Sequence, residues 1–320
     1  MSKRLLLAFA LTLLCCFAAG GWGRKGHATI ARIAEMHLTK TTQKKIAEIM
    51  HGEPISGYAS YADDYKAQLL VDMGFDPSGG EPRVNTLPHT FEANMDFEPF
   101  RGINDNGRYV KNCIHFIEKY AEDLRDYKAL DDSTAFTELV LLVHFVGDMH
   151  CPEHIRYNPD DMTIGYYNVT FRKEEIRYHT LWDSQLLDFK YPWSFGDMAH
   201  ILDSADKETM ARITKGGPYD WGRDVARCCW PAHKVREGDK LTMDWYREME
   251  PLMLSQLRKG GYRLAKELNM RYTPEIRFIM DDSIEYAINM SKKIDEIMKP
   301  INDRDNALAE GDEDESAETE

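Results

Sequence analysis

The stretch 143–155, VHFVGDMHCPEHI, places His144, Asp148, His150 and His154 within eleven residues. His144 and Asp148 are four apart, so on a helix they lie one turn above the other on a single face. Pro152 opposes continuation of that helix, which lets the chain turn and send His154 back towards the same point. Neutral imidazoles and a carboxylate converging in this way are what a zinc ion requires. The apolar run LVLLVHFVG makes the helix a buried one, and buried polar groups need partners. A single histidine here would be read as bonded to a backbone carbonyl. Three with an aspartate favour a metal, because unpaired buried charge is costly. Farther on, YHTLWDSQLL sets His179 and Asp183 four apart at a second helix start.

The elements that must position these residues are mostly helical. Helical spacing of apolar residues predicts helices over 27–50, 107–127 and 135–149, and SYADDYKAQLL, with adjacent Asp63 and Asp64, reads the same way. Further helices are expected over 195–205, 221–229, 243–257, 261–268 and 281–298. A long Gly/Pro/Asn-bearing loop runs from GFDPSGG to DFEP and carries His89 and Glu92. The one plausible strand pair is a hairpin of IGYYNVTF and EEIRYH around the turn RKEE. No GxGxxG, P-loop or GxSxG is present, so nucleotide cofactors and serine hydrolysis gain little support.

Composition bounds the function. The 320 residues suffice for a sizeable core. The start, MSKRLLLAFALTLLCCFAAGG, has the order of a secretory signal peptide, with cleavage expected after Gly21 and Trp22 as the new N-terminus. No later segment reaches membrane-spanning length, so an exported, secreted or periplasmic, protein is expected. The net charge is −14, with nine acids and one Arg between Asn302 and Glu320. That tail, 301–320, reads as a solvated, disordered extension. The lack of a basic stripe argues against a protein that coats duplex DNA, though an enzyme holding phosphate through metal ions needs none. Export permits disulfides among Cys113, Cys151, Cys228 and Cys229, with the pairing open. Asn168-Val169-Thr170 and Asn289-Met290-Ser291 match the glycosylation pattern.

WGxxGH, the ADxxK element, the loop His89, HFVGDMHxPxH and HxxWD, in that order, resemble the S1/P1 family of zinc-dependent nucleases. The likeness runs from Trp22 to about Asn269. It implies a mainly α single domain of 22–270 with a short β-hairpin and three zinc ions in a cleft; beyond it the sequence pattern predicts a helical extension, 271–300. By motif matching, Trp22, through its amine and carbonyl, His27 and Asp148 hold one zinc. Asp63, His89, His144 and Asp148 hold a second, and His154, His179 and Asp183 a third. His150 is not a ligand in that pattern. The implied reaction is hydrolysis of single-stranded RNA or DNA to 5′-nucleotides, with 3′-nucleotidase activity as a further possibility, by a monomer.

Two departures from the family stand out. Lys66 replaces the usual Arg, and Thr90-Phe91-Glu92 replaces Phe-x-Asp. Lys66 and Glu92 are candidates for a pair that stabilises the transition state, and Phe91 or Tyr61 for base stacking. A zinc-dependent phospholipase C is the nearest alternative, but it typically has Glu where this chain has Asp183. A non-catalytic zinc-binding protein is the other. Residues 272–299 separately resemble the end of ribosome-binding factor A.

Overall fold

The computed structural model describes residues 22–73, 87–101, 112–157, 166–272, 289–293, 296 and 299–300. The chain divides into two compact units, Met1–Thr273 and Pro274–Glu320. The expected signal peptide, the acidic tail and part of the long loop lie outside the described residues, as does most of the helix expected over 281–298. Residues 289–293, 296, 299 and 300 are helical.

The first unit is built around the helix Asp132–Met149, the central helix. Asp131 caps it by accepting a hydrogen bond from Thr134 N–H at 3.0 Å. From Leu139 to Met149 every residue is buried, so this helix is core on all faces rather than amphipathic. It stops at His150, and Pro152 starts the one-turn 3₁₀ segment Pro152–His154. The expected turn-back of His154 is therefore made within a few residues.

Several expected helices are divided differently. The pattern over 27–50 forms two helices, Arg24–Met36, the first helix, and Lys40–Ile49. Thr39 caps the second by accepting from Thr42 N–H at 3.1 Å. SYADDYKAQLL divides into Tyr61–Asp64 and Lys66–Asp72 at Tyr65. In contrast, 243–257 and 261–268 join in one helix of 30 residues, Met243–Tyr272, the long helix. Gly260 and Gly261 lower helix propensity, but packing overrides it: a Cβ at Gly261 would lie 2.4 Å from Ile33 Cγ2 of the first helix. The helix Lys207–Ile213 was not expected from the sequence pattern.

Strands are few and short. Phe91–Ala93, inside the expected loop, pairs in parallel with Ile155–Tyr157, with Phe91 opposite Ile155. The hairpin Asn168–Phe171 and Glu174–Arg177 forms as expected, with Asn168 opposite Arg177. Its turn residues Arg172 and Lys173 have φ of 52° and 70°, the sign that a tight two-residue hairpin turn demands. Arg177 leads directly into the helical segment Tyr178–Thr180, a π turn Leu181–Gln185 and the helix Leu186–Lys190. Among the described residues no helix is long and apolar enough to cross a membrane.

Cys113, Cys151, Cys228 and Cys229 are free thiols, so the disulfides that export would allow do not form. Cys151 S–H points to Asp183 Oδ1 at 3.8 Å, and Cys228 lies against Asp224 and Lys259.

Candidate metal centre

Asp148, in the last turn of the central helix and fully buried, is the hub. Its Oδ1 is 3.3 Å from His27 Nε2 and 3.9 Å from His154 Nε2, and its Oδ2 is 3.2 Å from His144 Nε2. Asp63 Oδ1 lies 3.7 Å from His144 Nε2. His27 comes from the first helix and stacks on His144 with ring centroids 4.2 Å apart. This approach requires a glycine at position 147, where a Cβ would be 2.4 Å from His27 Nδ1. His89, just before the strand Phe91–Ala93, is brought beside His154 by the parallel pairing, with rings 5.0 Å apart. His154 is in turn 5.0 Å from the His179 ring, and His179 Nε2 is 3.2 Å from Asp183 Oδ2. Trp22 is fully buried, and the Gly23 N–H bond to Asp183 O at 2.5 Å ties the start of the first helix to the same place. The expected histidines and aspartates thus form one continuous cluster.

Backbone carbonyls set which ring nitrogens face inward. His144 Nδ1–H donates to Ala59 O at 2.9 Å and His89 Nδ1–H to Leu87 O at 2.5 Å. With Nδ1 so committed, it is Nε2 of each ring that is turned to the cluster, the atom a metal would take.

Burial lowers the pKa of His27, His89 and His154, and takes His179 to about 4. For Asp148, burial works against ionisation, but His144 and His154 hold it well below the usual carboxylate range. For His144, burial opposes protonation while Asp148 and Asp63 raise it to about 9. Burial and the charge of Asp148 push Asp183 well up. Both oxygens of Asp148, both ring nitrogens of His27 and His154, Nδ1 of His179 and Oδ1 of Asp63 are buried without a hydrogen bond. The large majority of buried side-chain polar atoms are normally bonded, so this concentration fits divalent cations. Two groups bring three ligand atoms within 4.8 Å of one another: His27, Asp63 and His144, and Cys151, His154 and Asp183.

The remaining expected residues are placed less centrally. Lys66 Nζ is 3.3 Å from Asp63 Oδ1. Glu92 is half-buried in the middle of its strand. Thr90 and Phe91 are buried, so Phe91 presents no ring to a base, whereas half-buried Tyr61 stacks on exposed Tyr65 at 4.3 Å. His150 bonds away from the cluster, donating from Nδ1 to Val146 O at 2.7 Å and accepting at Nε2 from Arg263 at 3.0 Å. Arg263 and the carbonyls of Ala59 and Leu87 are supports that no local motif announces. Gly147, breaking an apolar run, was the one visible signal.

A mainly helical domain with a buried histidine–carboxylate cluster, assembled from the first helix, the end of the central helix and a π turn, is thus defined by fold and site together. The model of the family S1/P1 Nuclease matches residues 22–273, and the chain belongs to that family. It is a hydrolase acting on ester bonds. It is 27% identical to Endonuclease 2 of Arabidopsis thaliana over 78% of this chain and 90% of that protein. Identity to Nuclease S1 of Aspergillus oryzae is 27%, over 83% of this chain and 97% of the relative. Nuclease P1 of Penicillium citrinum is 24% identical over 80% and 99%. A separate stretch of 40 residues, 12% of this chain and 31% of the relative, is 62% identical to Ribosome-binding factor A of Lachnospira eligens.

Proposed function

We propose that this chain is an exported, monomeric, zinc-dependent endonuclease that hydrolyses single-stranded RNA or DNA to 5′-nucleotides, with 3′-nucleotidase activity at the same centre. The observation that carries the reading is Asp148, whose two buried, unbonded oxygens face three histidines. In this reading one zinc is held by Trp22, His27 and Asp148, a second by Asp63, His89, His144 and Asp148, and a third by His154, His179 and Asp183. The domain spans 22–270, after a signal peptide of 1–21 and before a helical extension, 271–300, and an acidic tail, 301–320.

Zinc bound there supplies a Lewis acid and lowers the pKa of a coordinated water from ~15.7 to ~7. The chain's own residues do the rest. Asp148 fixes the spacing of the cluster with both oxygens. Ala59 and Leu87 lock two imidazoles in the ligating tautomer. Lys66, beside Asp63, offers a compact positive charge to the phosphodiester, without the fork of an arginine.

The test is incubation of the processed protein and of Asp148→Asn with zinc and single-stranded DNA or RNA, beside a phosphatidylcholine assay. Accumulation of 5′-mononucleotides that EDTA stops, with a loss of more than about a hundredfold in the variant, supports the reading. Cleavage of lipid with nucleic acid untouched would assign the scaffold to a phospholipase instead.

A further inference from the structure

Beyond the cluster, one cation stands out by how it is held. Arg177 ends the strand Glu174–Arg177, two residues before His179, and is exposed. Its Cζ lies 5.7 Å over the ring of Tyr166, within the range of a cation–π contact. Tyr166, 55% exposed, lies against the His179 ring at 5.9 Å with the planes 24° apart. Two other cations near the centre are engaged by carboxylates, Lys66 by Asp63 at 3.3 Å and Arg24 by Asp64 at 2.5 Å. Among the described residues Arg177 has no ion pair. Glu175, which shares its face of the strand, accepts a hydrogen bond from Asn168 at 2.7 Å instead.

A guanidinium with no ion pair among the described residues, steadied by an aromatic face, is suited to phosphate, which it matches in a bidentate fork. The exposed ring beside it is a stacking surface for a base. In a chain of net charge −14 such a cation offsets the repulsion that a polyanion meets on approach. We propose that Arg177 and Tyr166 form a subsite for a nucleotide flanking the scissile phosphate, Arg177 pairing with its phosphate and Tyr166 stacking on its base. This rests on the nuclease reading above and extends it to residues outside the expected ligand and Lys66–Glu92 sets.

The experiment compares the zinc-loaded full chain with Arg177→Gln, Arg177→Lys and Tyr166→Ala on two substrates. One is a single-stranded oligonucleotide and the other bis(p-nitrophenyl) phosphate, a phosphodiester without a flanking phosphate or base. Arg177→Gln is expected to raise KM for the oligonucleotide about tenfold with little change in kcat. It should also reduce the slope of log kcat/KM against log salt by about 0.7, the loss of one phosphate contact on a single strand. Arg177→Lys should restore most of that slope, and Tyr166→Ala should raise KM for the oligonucleotide alone. Activity on the small diester and bound zinc should be unchanged in all three. Parallel losses on both substrates, or an unchanged KM and salt slope, overturn the subsite. A wild type inert on both overturns the nuclease reading, and the subsite with it.

Discussion

Asp148 illustrates how one side chain organises a centre through what surrounds it. Its two oxygens reach His27, His144 and His154, and His27 can come so close only because the central helix carries no side chain at Gly147, where it passes. Gly147→Ala introduces a methyl 2.4 Å from His27 Nδ1, and the imidazole must move. The expected result is a ten- to hundredfold fall in zinc affinity or activity, at a cost in stability of about 1–3 kcal/mol. Metal analysis after dialysis against a chelator, beside a thermal melt, separates the two effects. Loss of fold without prior loss of metal would show that Gly147 serves packing alone.

At the scale of elements, the central helix is held from behind. Arg263 on the long helix donates to His150 Nε2 at 3.0 Å, to Asp224 at 2.5 Å and to Ile213 O at 3.1 Å. Burial and this guanidinium hold His150 neutral, with its pKa at about 3. Arg263→Met strands the His150 imidazole and leaves Asp224 with Lys259 alone, at 2.8 Å, and should cost about 1–3 kcal/mol. That is less than a fully buried pair would lose, since the Asp224 side chain is 39% exposed. Urea unfolding measures it. His233 plays a parallel part for the turn that carries His154: its Nε2–H donates to Pro152 O at 2.8 Å, and burial lowers its pKa to about 4. A depressed histidine contributes stability that is present above its unfolded pKa of about 6.5 and is lost as pH falls through its folded value. Between pH 6.5 and about 4 the protein should therefore lose up to about 3 kcal/mol more than His233→Gln does. Equal losses in the two would remove His233 from the account. The His–Asp pairs on helices were legible in the sequence because a four-residue spacing is a local property of one helix. What was not legible depended on distant partners. The continuity of the long helix through Gly260 and Gly261 is set by Ile30 and Ile33, and the strand that holds His89 exists only by pairing with Ile155–Tyr157. Arg263 meets His150 across 113 residues, a distance over which no spacing rule reaches.

At the scale of the molecule, charge sets how a polyanionic substrate arrives. The segment from Asn302 to Glu320 carries nine acids and one Arg. A chain ending at Ile301 should bind single-stranded nucleic acid about two- to fivefold faster at low salt. The difference should vanish near 1 M, where the Debye length falls to about 3 Å. Stopped-flow association across a salt series tests this, and a gain that persists at high salt would point to a steric cause. Lys25 at the start of the first helix meets Asp188 at 3.1 Å across 163 residues, and Gly23 bonds to Asp183. These contacts bring the chain's earliest histidine to ligands made much later, so the cluster cannot close on a partly synthesised chain. Assembly in that order delays metal loading until most of the domain has folded, and refolding should show helix formation preceding the return of activity. A nuclease built this way gains its centre only once most of the domain has been made.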